Sequence, residues 1–356
     1  MKSRDLSTLT WDAFSAMSPA DKAGCYDRDG RLYNVIVAQQ FDRAALDNLG
    51  SLATVIRRIA KTEEGMDFLA AQLPHKRAML YFTQPSSRTF LSFTAACQIL
   101  GMPVGEVRDT ATSSEVKGES KEDSVRTFSS YYDMLIMREI DGGLAERMAW
   151  VFAQSERPVP IINAGSGKDQ HPTQALLDIY TLQRSFETRG GIDGKTIVFV
   201  GDLLRGRTVR SLACLLTAYR DVRLRFVAPT GLQIGADILA MLTAAGVPFE
   251  IGDRFEEAIP EADAIYMTRI QSEWDKPGQV AVNIDNYSFR TDHLALMKAD
   301  AVLMHPFPRR GEIAVEVDRD HRAVYWRQMR NGMWVRAALI AQIFGREEAI
   351  RRFTLS

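Results

Sequence analysis

The stretch "AMLYFTQPSSRTFLSFTAACQILG", Ala78 to Gly101, joins two patterns across a polar gap. Ala78 to Phe82 is a short apolar run, the signature of a buried strand. Phe90, Phe93, Cys97 and Leu100 then fall on roughly one helical face, and Gly101 stops the helix. Between them stand Ser86, Ser87, Arg88 and Thr89. A strand running into a helix start is the repeating unit of a parallel α/β sheet. Unpaired backbone N–H groups and the positive end of the helix dipole favour an anion there. Ser and Thr also cap helices without any ligand, so the stretch alone leaves cap and anion cradle both open.

The same unit recurs outward from it. Apolar runs at 78–82, 134–137, 159–162, 196–200, 224–228, 264–267 and 301–304 read as buried strands, most of them separated by helical patterns. The fold class is therefore α/β, with doubly wound parallel sheets. A helix is predicted from about Asp42 to Lys61, with Leu46, Leu49, Leu52, Ile56 and Ile59 on one side. The last helix is predicted over about Met333 to Phe344, ending at Gly345. Residues 1–40 read as a polar, weakly periodic extension. The charged, Gly-rich "RSFETRGGIDGK" from Arg184 to Lys195 is the predicted junction of two domains, a count that 356 residues support.

Composition narrows the function classes. Hydrophobic residues make up 46% and charged residues 25%, enough for a soluble protein with a real core. The 44 basic and 45 acidic side chains nearly cancel, which offers no bulk attraction to nucleic acid or an anionic membrane. No apolar stretch approaches the roughly 18 residues of a membrane span. Cys25, Cys97 and Cys214 are sparse and odd in number, which points to a reducing cytoplasm. The five histidines are scattered and no CxxC occurs, so no metal site is expected.

In open α/β sheets ligands bind at the carboxyl ends of strands. Four arginines recur at such ends: Arg88, Arg138, Arg207 and Arg269. So many guanidinium groups call for anionic ligands. His171 and Gln174, three apart, share a face at a helix start marked by Pro172. "DTATSSEVKGES" (109–120) reads as a polar loop in which Lys117 precedes Gly118. "GDLLRGRTVRS" (201–211) opens another helix but lacks G-x-G-x-x-G, which argues against a dinucleotide site.

Taken in order, these blocks resemble the aspartate/ornithine transcarbamylase family, and within it the aspartate-specific catalytic chains. Ser86-Ser87-Arg88-Thr89, "ATSSEVKGES", "MRE", "NAGSGKDQHPTQALLDIYT", "GDLLRGRTVRSLA", "YMTRIQ", "HPFPRRGEI" and "NGMWVRAAL" carry the resemblance over about residues 35–345. It implies a carbamoyl phosphate domain (41–183 plus 331–356) and an aspartate domain (184–330), the last helix returning to the first. It implies a homotrimer with sites shared between subunits, acting on carbamoyl phosphate and L-aspartate with no cofactor. Carried over by position, Ser86, Arg88, Thr89 and the Ser87 backbone hold the phosphate. Thr89, Arg138 and His171 polarise the carbonyl, and Gln174 binds the carbamoyl NH2. Arg207, Arg269 and Gln271 take the aspartate carboxylates, and the carbonyls of Pro306 and Phe307 orient the amine. Ser113 and Lys117 would be lent by a neighbouring subunit. A further regulatory or dihydroorotase partner stays open.

Two positions depart from the family pattern: Gln84 replaces a common acidic residue and Trp274 a common arginine. The family's ornithine enzymes carry an H-C-L-P block and an S-M-G segment, where this chain has His305-Pro306-Phe307-Pro308 and Arg269-Ile270-Gln271. A transcarbamylase for ornithine or an acylated relative, and a non-catalytic subunit of the same fold, are the alternatives.

Overall fold

Local signals explain most of the helices in the computed structural model, which describes residues 4–109, 114–167, 170–270 and 284–354. Thr10 caps α1 (Trp11–Ser15), and Ser18 with Pro19 at the first position starts α2 (Pro19–Ala23). Strands β1 (Asp27–Arg28) and β2 (Arg31–Leu32) form an antiparallel hairpin. Its turn is Asp29-Gly30, both at positive φ (53° and 71°), the sequence such a turn favours. Asp42 accepts from the Ala45 amide and starts α3 (Arg43–Ile59), within the predicted span. Thr62 caps α4 (Glu63–Ala70) in the same way.

The first sheet follows. Its elements are β3 (Ala78–Phe82), α5 (Ser87–Ile99), β4 (Val104–Val107), α6 (Lys121–Tyr131), β5 (Met134–Arg138), α7 (Leu144–Ala153) and β6 (Ile161–Asn163). All pairings are parallel, in the order β4-β3-β5-β6. The central strands β3 and β5 are buried at every position, as expected with both faces covered. Helix α8 (Pro172–Phe186) leads on to β7 (Thr196–Val200), α9 (Arg207–Leu216), β8 (Arg223–Val227), α10 (Ala236–Ala244), β9 (Phe249–Gly252), α11 (Phe255–Ala258), β10 (Ala264–Met267) and β11 (Val302–Met304). This second parallel sheet has the order β11-β10-β7-β8-β9. Helices α12 (Tyr325–Ile343) and α13 (Glu347–Arg352) close the chain.

The chain forms two compact units, one ending at Thr173 and resuming at Gly332, the other Gln174–Asn331. The divisions fall inside α8 and α12, whereas the predicted junction, the Gly-rich 184–195 stretch, is the turn from α8 into β7. The C-terminal part of the chain belongs to the first unit: Arg351 bonds Asn48 and Ser51 on α3, and Phe353 stacks on Phe68. Helix α12 begins at Tyr325, well before the predicted Met333.

The N-terminal extension needs correcting. It is a built-in part of the first unit's core, with Leu6, Phe14, Tyr26 and Ile36 buried among residues of β3, β5 and α7. Trp11 meets Trp150 edge-on at 5.7 Å, and the Arg147 guanidinium sits over both rings, at 4.4 and 4.9 Å. Glu146 on α7 accepts from Lys22 (2.6 Å) and from the Tyr26 hydroxyl (3.1 Å). Val35 then bridges Ile162 in parallel and extends the sheet beyond β6. The apolar residues of the extension lie in helices of five residues, in strands of two and in turns, all too short to show a period, which is why they read as an appendage.

Candidate active site

In the first unit the strand ends collect the expected residues. Thr83 to Ser86 lead from β3 into α5. Ser86 has extended backbone and its side chain makes no capping bond to the helix. Its hydroxyl is therefore not used as a cap, the alternative that the sequence left open. Thr89 is buried, while Ser87 and Arg88 are exposed in the first turn, where helix N–H groups lack intrahelical acceptors.

Arg138, the last residue of β5, is buried. Its Nη1 donates to the Ala164 carbonyl (3.1 Å) and lies 3.4 Å from His171 Nε2. Gly165, just beyond β6, makes that approach possible. It has φ +104°, and a Cβ there would come within 2.8 Å of Arg138 Nη1 and 2.9 Å of His171 Cδ2. A buried guanidinium held beside an imidazole is a poor solvent-facing decoration and a good electrophilic group for an anion. Lys117 is exposed at the end of a 3₁₀ turn, Ser114–Lys117. Ser113 lies outside the described residues.

In the second unit Arg207 is the first residue of α9, after β7, and Arg269 follows β10; both are half-buried. Thr268 bonds β7 twice through Val200 O, fixing the turn into Arg269. Gln271 and Trp274 lie outside the described residues. After β11, Phe307 takes a left-handed backbone conformation (φ +56°). His305 braces it: its Nδ1 accepts from the Phe307 amide (2.8 Å), so the ring proton sits on Nε2, which meets Glu312 Oε1 at 2.7 Å. Burial would raise the Glu312 carboxyl. The hydrogen bond from His305, with backbone amides, outweighs it and holds the group below its ordinary range.

Asp178, which sequence reasoning missed, bonds directly to the candidate residue Gln174. It is fully buried on α8. Oδ1 accepts from Gln174 Nε2 (2.9 Å) and Gln328 Nε2 (2.7 Å), and Oδ2 from the Tyr266 hydroxyl (2.7 Å). Burial and this carboxylate keep the Tyr266 phenol protonated. Gln328 Oε1 in turn accepts from the His305 amide (2.9 Å). One carboxylate thus ties Gln174, the strand that leads to Arg269, and the Pro306–Phe307 turn. Its only sequence signal was an acid four residues after Gln174.

Two parallel-sheet units, each gathering arginines at strand ends around neutral hydrogen-bonding groups, define a class: an α/β protein built for anionic ligands. Two family models cover most of the chain. "Aspartate/ornithine carbamoyltransferase, carbamoyl-P binding domain" matches residues 34–184, and the "Asp/Orn binding domain" of the same family matches 193–343. The chain belongs to the aspartate/ornithine carbamoyltransferase family. It is 41% identical over 316 residues to the chloroplastic aspartate carbamoyltransferase 1 of Pisum sativum, covering 87% of this chain and 78% of that protein. It is 41% identical over 314 residues to the multifunctional protein CAD of Squalus acanthias, covering 88% of this chain and 13% of that one. Aspartate transcarbamoylase from Trypanosoma cruzi, solved with carbamoyl aspartate and phosphate, superposes with TM-score 0.76 at 35% identity, over 87% of this chain and 95% of that one.

Proposed function

We infer that the chain transfers the carbamoyl group of carbamoyl phosphate to the amine of L-aspartate, giving N-carbamoyl-L-aspartate and phosphate, a step of pyrimidine biosynthesis. The observation that carries this is the buried Arg138–His171 contact over Gly165, beside a helix start whose Ser86 does not cap it. The complexes of the solved Trypanosoma cruzi enzyme, with carbamoyl phosphate, aspartate, phosphate and carbamoyl aspartate, support it.

The first unit binds carbamoyl phosphate. Ser86, Arg88, Thr89 and the Ser87 N–H hold the phosphate. Arg138, Thr89 and His171 hold the carbonyl oxygen. The amine lone pair attacks the carbonyl carbon, the C=O electrons move to oxygen, and donors fixed in advance meet that charge. Removing one such donor typically lowers the rate by about 10²–10³. The C–O bond to phosphate then breaks, and the leaving phosphate accepts the bonding pair and the amine's proton. No carboxylate base is required. Gln174 spends its NH2 on Asp178, which leaves Oε1 to accept from the carbamoyl NH2. In the second unit Arg207 and Arg269 suit a dicarboxylate, with Gln271 assisting. The braced Phe307 and Pro306 carbonyls orient the amine.

The chain acts as a homotrimer in which a neighbour lends Ser113 and Lys117. The match to a small part of a multifunctional protein fits a larger assembly with partner activities, for which a regulatory or dihydroorotase partner is the expectation. The three cysteines are free and buried, in keeping with a reducing cytoplasm, and burial pushes Cys97 and Cys214 up to about 12. Steady-state kinetics test the division of labour. Arg88→Ala raises KM for carbamoyl phosphate and Arg269→Ala raises KM for aspartate. A reversed pattern would refute the assignment.

A further inference from the structure

Glu139 follows the catalytic Arg138, and only 2% of it is exposed. A buried carboxylate needs partners, and Glu139 has them on two separate segments and on its own neighbour Ile140. Oε2 accepts from the Thr83 hydroxyl (2.5 Å), on the peptide between β3 and the phosphate cradle. Oε1 accepts from the Ile140 amide (2.6 Å) and from Lys121 Nζ (3.1 Å). Two backbone bonds run alongside: Gln84 N to Arg138 O (3.2 Å) and Gly167 N to Glu139 O (2.9 Å).

Lys121 is the first residue of α6, after the Ser120 cap. A cation at that end opposes the helix dipole, so its place there needs another cause. The acids supply it: Glu139, and Asp141 at 2.5 Å. Burial would lower the Lys121 pKa, but its hydrogen bonds to Asp141 and Glu139 outweigh burial and keep it charged. Only four residues separate Lys121 from Lys117. The pair therefore fastens the base of the Lys117 segment to the strand end that carries Arg138 and to the approach to the cradle.

We propose that Glu139 is a positioning residue for carbamoyl transfer, tying the Arg138 strand end to the Ser86–Thr89 cradle through Thr83 and, through Lys121, to the base of the segment that lends Lys117 to the neighbouring subunit. It touches no substrate. The assignment rests on the transcarbamylase function inferred above. The Asp141 contact is a surface pair, which ordinarily contributes little, whereas Glu139 is the buried partner.

The test is kinetic, on the full-length chain, well below its melting temperature. Glu139→Gln keeps the shape and an acceptor for Thr83 but loses the charge. It is expected to lower kcat/KM for carbamoyl phosphate by about tenfold, since small misplacements near reacting groups are costly. Lys121→Met should match it, and the double variant should be no worse than either single one. Asp141→Asn should stay within about twofold of wild type. Wild-type kinetics in Glu139→Gln, or strictly multiplicative losses in the double variant, would overturn the proposal while leaving the activity intact. A wild-type chain without turnover would instead remove the activity itself, and the positioning role with it.

Discussion

Gly165 lies against Arg138 so closely that a methyl group on its Cα would come within 2.8 Å of Nη1. The same methyl would press on the His171 ring. At φ +104° any side chain is also strained. Gly165→Ala should therefore displace both groups and lower kcat by about 10–100-fold, as misplaced catalytic groups do. Steady-state kinetics with a thermal melt measure this. Unchanged kcat in a folded variant would show that the Arg138–His171 contact is not needed.

Asp178 accepts three hydrogen bonds without solvent. Asp178→Asn replaces one acceptor oxygen by a donor, so either an amide NH2 faces another NH2 or the Tyr266 hydroxyl must turn to accept and loses its buried acceptor. The mismatch should cost about 1–3 kcal/mol of stability. It should also lower turnover in the protein that remains folded, because Gln174 loses its fixed orientation. Denaturation and kinetics on the same preparation separate the two effects. A stability loss with wild-type kcat and KM would make Asp178 purely structural.

The His305–Glu312 pair predicts an acid limb. Glu312 is held below its ordinary value of 4.5, so the folded state binds that proton less readily than the unfolded chain. Its contribution is fully present above about pH 4.5 and fades as pH falls through the folded value. The urea midpoint of wild type should exceed that of Glu312→Gln at pH 6, and the gap should narrow as the pH falls below 4.5. A gap independent of pH would remove this pair from the acid limb.

Phe14 is fully buried and packs edge-on against Tyr26 at 6.0 Å. Phe14→Ala should destabilise the first unit by about 3–5 kcal/mol, the usual range for a buried aromatic. Calorimetry would read this as a lowered transition. No shift would return the N-terminal segment to the status of an appendage.

How far the sequence could be read follows from burial. Central strands such as β3 and β5 are buried at every position and read as apolar runs, and all seven strands found that way exist. The edge strands β4, "VGEV", and β9, "FEIG", escaped notice because each is half-exposed and carries a charge and a glycine. The strand-end arginines were legible because a charge after an apolar run is conspicuous. Asp178 was not, since two of its partners, Tyr266 and Gln328, lie 88 and 150 residues away. Nor was the function of Glu139, whose Thr83 partner is 56 residues earlier. Such pairings arise only when the sheets are assembled. Gln84 now has a backbone role, its amide bonded to Arg138 O, whatever its side chain does in place of the family's common acid.

Carbamoyl transfer to a dicarboxylic amine is the central claim, and the acceptor assay reaches it most directly. The purified chain is incubated with carbamoyl phosphate and, separately, L-aspartate, ornithine or N-acylornithine, and the carbamoylated product is measured. Product should form with aspartate, and the two ornithine acceptors should give background only. Turnover with an ornithine acceptor, or none with aspartate, would contradict it.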